Sequence, residues 1–217
     1  MECPLCEHCP SDFHLSADQR EYWLCPQCRL IFVPPAFFIP AEQEVARYLE
    51  HENSLDNEGY VNMFQEKIDV IKQVCPGIQT TLDYGCGYAP VLKTLLTRTG
   101  YRAEGYDPNF FPGGDSQKKY DLVISTETFE HFKEPAKELA RLVRRISDGG
   151  YLAAMTRFYP TKNETLCEET FGKWYYKRDP THVAFYCEKT FSWIAEQFHL
   201  EIRHNNGNDF IILQKPS

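Results

Sequence analysis

Residues 82–90 read Leu82-Asp83-Tyr84-Gly85-Cys86-Gly87-Tyr88-Ala89-Pro90. TTLDY (80–84), which reads as a short strand, leads into them, and VLKTLLTRT follows with apolar residues at helical spacing. The stretch therefore reads as a glycine turn between a strand and a helix. Glycine lets the backbone approach a ligand and adopt left-handed angles. The helix that follows offers unpaired N–H groups, and Pro90 suits its first position. A dinucleotide fingerprint would need a glycine where Pro90 stands, and a phosphate loop would need a Lys-Ser/Thr pair that is absent here. Asp83 instead precedes Gly85 by two positions. That placement fits a ligand bearing a cationic or amino group rather than a pyrophosphate.

The pattern repeats outward from this turn. Downstream come a strand at 101–106, a strand at 120–126 (YDLVIST), a helix at 134–147, a Gly-Gly pair and a strand at 151–156. In that helix Leu139, Leu142, Val143 and Ile146 share one face, and Arg141, Arg144 and Arg145 share the other, read as solvated. Upstream, Val61, Phe64, Ile68, Ile71 and Cys75 recur at +3 and +4 until Pro76-Gly77 ends the helix. Strands alternating with helices imply a parallel sheet, because parallel neighbours need a crossover. The chain ends differently. A helix at 188–198 leads to LEIRH (200–204), then Asn-Asn-Gly-Asn, then DFIIL (209–213). That turn is hairpin chemistry, so the last strand is expected to lie antiparallel to its neighbour.

Asp83-Tyr-Gly85-Cys86-Gly87 resembles the first motif of class I S-adenosylmethionine-dependent methyltransferases, with Ala89 standing for the third glycine. Gly105-Tyr106-Asp107-Pro108 resembles the family's second motif, in which an acidic residue holds the ribose hydroxyls of the cofactor. Tyr120 to Thr126, followed by Glu127-Thr-Phe-Glu130-His131, is similar to its fourth strand and the trailing Glu-His. The resemblance covers about residues 58–214. It implies a Rossmann-like α/β sheet with an antiparallel last strand, S-adenosylmethionine as cofactor, and Asp83, Gly85, Cys86, Gly87, Asp107, Pro108, Thr126 and Glu127 as its contacts. Between Asp107 and Asp121 only PNFFPGGDSQKKY remains, too short for the family's helix and third strand. The third, edge strand is therefore expected to be missing or vestigial, with adenine held without it.

Methyl transfer needs proximity, alignment and, for some acceptors, a proton acceptor. Such groups belong on loops at the carboxyl ends of the strands. His131 follows the 120–126 strand. His182 lies in the long connection 157–187, within Trp174-Tyr175-Tyr176-Lys-Arg-Asp179-Pro-Thr181-His182. Connections of this length are commonly functional. His182 and His131 are the candidate catalytic residues, and Tyr60, Trp174 and Tyr176 the candidate substrate contacts. Asp-Pro-Thr-His-Val is similar to a stretch in a zinc-ribbon-bearing branch of the family. The same resemblance implies that the segment running from Arg47-Tyr48 through His51, Asn53 and Ser54 to Gly59-Tyr60 caps the cofactor or substrate site.

Nine cysteines are unevenly spread. Cys3-Pro-Leu-Cys6 and Cys25-Pro-Gln-Cys28 are paired knuckles whose spacing suits a structural Zn²⁺ in a ribbon hairpin. Cys9 also stands at C-x-x-C spacing to Cys6, with His8 and His14 nearby. The repeated Cys-Pro-x-Cys form favours Cys3 and Cys6. Residues 33–40, VPPAFFIP, read as a linker. The expected layout is a zinc ribbon at 1–33, a linker and N-terminal cap at 34–57, and the cofactor-binding domain at 58–217.

The chain has 217 residues with ordinary globular composition and a net charge of −8. That charge argues against a nucleic-acid surface, and no apolar run approaches a membrane span. The N-terminus shows no signal peptide, so a cytoplasmic, reducing setting is expected, in which disulfides are disfavoured. The leading expectation is a methyltransferase acting on O or N of a small-molecule acceptor. An RNA methyltransferase using the ribbon to deliver substrate, and a non-catalytic zinc-dependent interaction module, are the alternatives.

Overall fold

The structure is a computed structural model that describes residues 1–50, 53–113, 117–162 and 165–217. Its N-terminal part holds β1 (Asp12–Ala17), β2 (Arg20–Leu24) and β3 (Ile31–Phe32). A 3₁₀ turn over Pro35–Phe37 leads to α1 (Ala41–Leu49) and α2 (Glu58–Val74). The alternating part comprises β4 (Thr80–Tyr84), α3 (Val91–Arg98), β5 (Arg102–Tyr106), β6 (Tyr120–Thr126), α4 (Pro135–Arg144) and β7 (Ile146–Met155). The long connection carries a small hairpin of β8 (Thr161–Lys162) and β9 (Thr165–Leu166), then α5 (Glu168–Lys173), a 3₁₀ turn at Tyr175–Arg178, and β10 (Ala184–Phe185). The chain closes with α6 (Glu188–Gln197), β11 (Glu201–Asn205) and β12 (Phe210–Gln214).

The main sheet has the order β11-β12-β7-β6-β4-β5. β5, β4, β6 and β7 run parallel, and β12 lies antiparallel to both β7 and β11. The expected α/β sheet with an antiparallel last strand is present. Among the described residues no strand lies beyond β5, where the third strand was expected to be missing. The hairpin between β11 and β12 closes on Asn206, whose side-chain oxygen accepts from the amides of Asn208, Asp209 and Phe210, each at 3.0 Å.

Three details differ from the sequence reading. Pro90 is the cap before α3 and not its first residue. Ile146 opens β7 instead of ending α4, because Ser147 to Gly150 continues the strand rather than turning. Arg145 is buried and not solvated: its Nε donates to the Lys118 carbonyl at 2.9 Å and its guanidinium lies over the Tyr120 ring.

A second sheet, β1-β2-β3-β10, is antiparallel and joins the N-terminal part to the connection before α6. Buried Cys3, Leu5, Cys25, Cys28, Leu30 and Phe32 belong to the same apolar cluster as Leu82, Val123, Phe129 and Tyr186. The stretch read as a linker is packed only at its start: Val33 and Pro34 are buried and the Val33 amide donates to the Val183 carbonyl at 2.9 Å, whereas Pro35, Ala36 and Pro40 are exposed. No helix among the described residues is long and apolar enough to cross a membrane.

Candidate active site

β4, β5 and β6 are parallel, so their carboxyl ends open on one side of the sheet, the side where open α/β sheets bind ligands. A cleft of about 580 Å³ lies there, within the ordinary range for small-molecule sites. Asp83, Gly85, Cys86, Gly87, Asp107, Pro108, Thr126 and Glu127 all line it, as do Tyr60, Tyr176, His131 and His182. Trp174 does not. It packs against Phe171, Tyr176 and Phe185, one ring behind the cleft wall.

The turn after β4 shapes the floor. Gly85 has φ +81°, and a Cβ there would stand 2.4 Å from both Thr128 Cγ2 and Oγ1. Gly85→Ala is expected to cost about 2–3 kcal/mol from backbone strain and overlap. Thermal unfolding should show a fall in Tm of roughly 4–12 °C for a chain of this size. An unchanged Tm would show that the turn tolerates a side chain.

Asp83 is 2 % exposed, and its Oδ2 accepts from the Lys93 amide in the first turn of α3 at 3.2 Å. A carboxylate has about four acceptor sites, and this one hydrogen bond leaves most of them unused. Burial pushes the Asp83 carboxyl up to about 7. Asp107 organises its own loop: Oδ1 accepts from the amides of Asn109 (2.8 Å) and Phe110 (3.1 Å), and Oδ2 from Gly87 (3.1 Å). Oδ2 keeps one acceptor site free. An aminoacyl sulfonium nucleoside matches this donor set. Asp83 would meet its ammonium group, Asp107 its ribose hydroxyls, and Gly85 and Gly87 would let it lie close to the backbone.

At the other end of the cleft the two histidines adjoin, with ring centroids 4.9 Å apart. His131 Nδ1 lies 3.1 Å from the Thr181 carbonyl, and His182 Nδ1 lies 2.7 Å from the Tyr176 carbonyl. A carbonyl only accepts, so each Nδ1 carries the proton and each Nε2 keeps its lone pair. Enclosure lowers both imidazoles, His182 to about 3, so both are neutral near pH 7. The Tyr176 hydroxyl lies 2.5 Å from Glu130 Oε1 and 3.2 Å from Glu127 Oε2.

Glu44, Tyr48, Asn53 and Glu130 also line the cleft, and the sequence reading did not single them out as site residues. Glu130 stood in the Glu-His pair after β6, and Tyr48 and Asn53 in the segment expected to cap the site. His51 and Glu52 lie outside the described residues. α1 is fastened over the cleft by Arg47 to Asp179 (3.1 Å) and Glu44 to Lys133 (2.7 Å).

The Sγ atoms of Cys3, Cys6, Cys25 and Cys28 all lie within 4.8 Å of one another, with Cys3–Cys28 at 3.5 Å and Cys6–Cys25 at 3.4 Å. Four sulfurs about 2.3 Å from a tetrahedral Zn²⁺ stand roughly 3.8 Å apart, so these cysteines suit that ion, with no position left open. Cys9 is exposed and stands outside the cluster.

This module reaches the histidine end of the cleft. Arg20, 8 % exposed, donates from Nη1 to the carbonyls of His182 (3.0 Å) and Pro180 (3.3 Å), and from Nη2 to those of Asp179 (3.1 Å) and Lys177. The Tyr22 hydroxyl donates to the Lys177 carbonyl at 3.1 Å, and buried Lys177 pairs with Asp18.

Residues 42–205 match the family Methyltransf_23, described as a methyltransferase domain. An O-methyltransferase family protein from Burkholderia thailandensis has a TM-score of 0.54 at 16 % identity, over 84 % of this chain and 64 % of its own, so this chain spans less than two thirds of that protein. A chain of the complex between the Haloferax volcanii Trm112 methyltransferase activator and a methyltransferase gives 0.56 at 14 %, over 80 % of this chain and 97 % of its own. Streptomyces venezuelae DesVI gives 0.53 at 14 %, over 83 % and 100 %. At these identities the likeness is one of fold. No curated protein matches the chain. The family match spans most of the chain and includes every cleft residue named above, and the chain belongs to the S-adenosylmethionine-dependent methyltransferases.

Proposed function

We propose that the protein transfers a methyl group to oxygen or nitrogen of a small-molecule acceptor, with a structural Zn²⁺ on Cys3, Cys6, Cys25 and Cys28. The observation that carries this reading is the convergence of the two cofactor-facing carboxylates, Asp83 and Asp107, and the two neutral histidines on one cleft. The bound cofactor supplies a methyl group already activated on a sulfonium. The protein's own part is then to hold the acceptor in line and to receive its hydrogen bond. His131 and His182 offer Nε2 acceptors for a hydroxyl or amine. Tyr176 packs against His182 with ring centroids 4.3 Å apart, and Tyr60 lines the same cleft. A smaller cavity of about 280 Å³ adjoins at Tyr176, Asp179 and His182 and gives the acceptor further room.

Delivery of RNA by the N-terminal module is disfavoured, because Arg20 is buried and committed to carbonyls, leaving Arg29 as the other arginine in that module. A reducing, cytoplasmic setting belongs to this reading, since the four-cysteine site needs thiolates.

Incubation of the zinc-loaded protein with methyl-labelled cofactor, a panel of hydroxylated and aminated small molecules, and total RNA tests the acceptor class. Label is expected among the small molecules, and label confined to RNA would overturn the proposal. His182→Ala is expected to lower kcat by about 100-fold or more, the usual scale for a lost proton-handling group, with cofactor Kd nearly unchanged. Unchanged kcat would remove His182 from catalysis.

Asp83 also sets a pH dependence. Its carboxyl titrates near 7, and only its ionised form pairs with the cofactor's ammonium group. Cofactor affinity should weaken as pH falls through about 7. Calorimetry at pH 8 and pH 6 measures this, and Asp83→Asn should flatten the profile. A flat profile in the wild type would contradict the pairing.

A further inference from the structure

Beyond the cofactor and the four cysteines, a third group of ligating side chains stands in the cleft. Glu130, His131 and His182 each offer a donor atom, and the three atoms lie within 4.8 Å of one another. His131 Nε2 is 4.0 Å from Glu130 Oε1. Glu130 is fully buried, and its Oε2 has no hydrogen-bond partner. Leaving such a buried atom unpaired is costly, so something is expected to meet it.

The surroundings are those of metal ligands. Ligating histidines usually donate their other ring N–H to a carbonyl or carboxylate, and ligating carboxylates are themselves hydrogen-bonded. Here His131 Nδ1 faces the Thr181 carbonyl, His182 Nδ1 faces the Tyr176 carbonyl, and the Tyr176 hydroxyl holds Glu130 Oε1. One donor atom of each residue is thus placed to meet an ion, with His131 Nε2 and Glu130 Oε1 at 4.0 Å. Their backbones are fixed from two sides, by the turn after β6 and by the segment that Arg20 clamps.

We propose that Glu130, His131 and His182 bind one divalent transition-metal ion at the acceptor end of the cleft. Two imidazoles and one carboxylate suit Zn²⁺, Fe²⁺, Co²⁺, Ni²⁺ or Mn²⁺ rather than Mg²⁺ or Ca²⁺. Three protein ligands leave open positions, as catalytic rather than structural sites do. The ligand class this selects is an acceptor with an oxygen donor, and above all one with two adjacent oxygens. With the ion in place the two imidazoles hold it instead of the acceptor's hydrogen bond, and an acceptor hydroxyl bound to the ion loses its proton to solvent more readily. The oxygen–methyl bond then forms as the sulfonium–methyl bond breaks, and the cofactor leaves as a neutral thioether.

This inference rests on the methyltransferase reading only for the ion's role, not for its binding. The test is a Co²⁺ titration of protein already holding one Zn²⁺ per chain, followed by absorbance. One Co²⁺ per chain with weak visible bands is expected. Intense near-ultraviolet thiolate bands would place the ion on the cysteines and overturn the site, as would no binding. Glu130→Gln, His131→Asn and His182→Asn should each weaken Co²⁺ by more than about 100-fold, beyond the 10–100-fold typical of outer partners. His131 is only partly buried, so its variant should stay folded, as far-ultraviolet circular dichroism would show. Wild-type affinity in that folded variant would overturn the proposal. S-adenosylhomocysteine binding, measured on the same samples, separates the two readings. Its loss with Co²⁺ retained would count against the cofactor, and the reverse against the ion.

Discussion

Cys28→Ser is expected to abolish zinc binding and, with it, turnover, although Cys28 stands outside the cleft. Structural Zn²⁺ contributes about 10–16 kcal/mol of apparent binding energy in small zinc modules, comparable with a domain's whole net stability of roughly 5–15 kcal/mol. The loss would spread by identifiable contacts. β3 pairs with β10, the Val33 amide donates to the Val183 carbonyl, and Arg20 and Tyr22 donate to the carbonyls of Lys177, Asp179, Pro180 and His182. His182 would then be free to leave its position against the Tyr176 carbonyl. Metal analysis should give near zero zinc, and kcat should fall further than cofactor affinity, because Asp83 lies in β4 and Asp107 directly follows β5. Full activity without zinc would show that the module does not position the site. Arg20→Lys would sharpen the point: it keeps the charge but loses the planar fork that reaches four carbonyls.

Asp107→Ala should have the largest effect on the cofactor itself. A hydrogen bond to a charged group contributes about 1.5–3 kcal/mol, so removing the carboxylate should weaken binding roughly 10–150-fold. The amides of Gly87, Asn109 and Phe110 would also lose their acceptor, which loosens the loop on the cleft's rim. Asp107→Asn should retain part of that loop order and so recover some affinity. Calorimetry on both variants reads this directly. Wild-type affinity in Asp107→Ala would mean that the residue only shapes its loop.

Local chemistry made much of this legible. TTLDY is bounded by polar residues and glycine, and β4 occupies those five positions. The glycine turn, the hairpin at Asn206 and the two Cys-Pro-x-Cys knuckles each carry their geometry within a few residues. Short elements were harder to see. α1 is nine residues long and buries none of them completely, and β10 is two residues long. Ser147 to Gly150 has the composition of a turn, yet it extends β7 because Gly150 fits against the Asp121 carbonyl, 2.9 Å from where its Cβ would be. Contacts distant in sequence were not legible. Arg20 and His182 are 162 positions apart, and no periodicity links them. Trp174 belongs to an aromatic run, and the fold alone decides that Tyr176 faces the cleft while Trp174 backs it.

The most direct test is calorimetric titration of zinc-loaded wild-type protein with S-adenosylhomocysteine at pH 8. One molecule per chain should bind with affinity near micromolar, about −8 kcal/mol, and Asp107→Ala should lose most of it. No heat at millimolar ligand in folded, zinc-replete protein would contradict the assignment of Asp83, Gly85, Gly87 and Asp107 to a cofactor site.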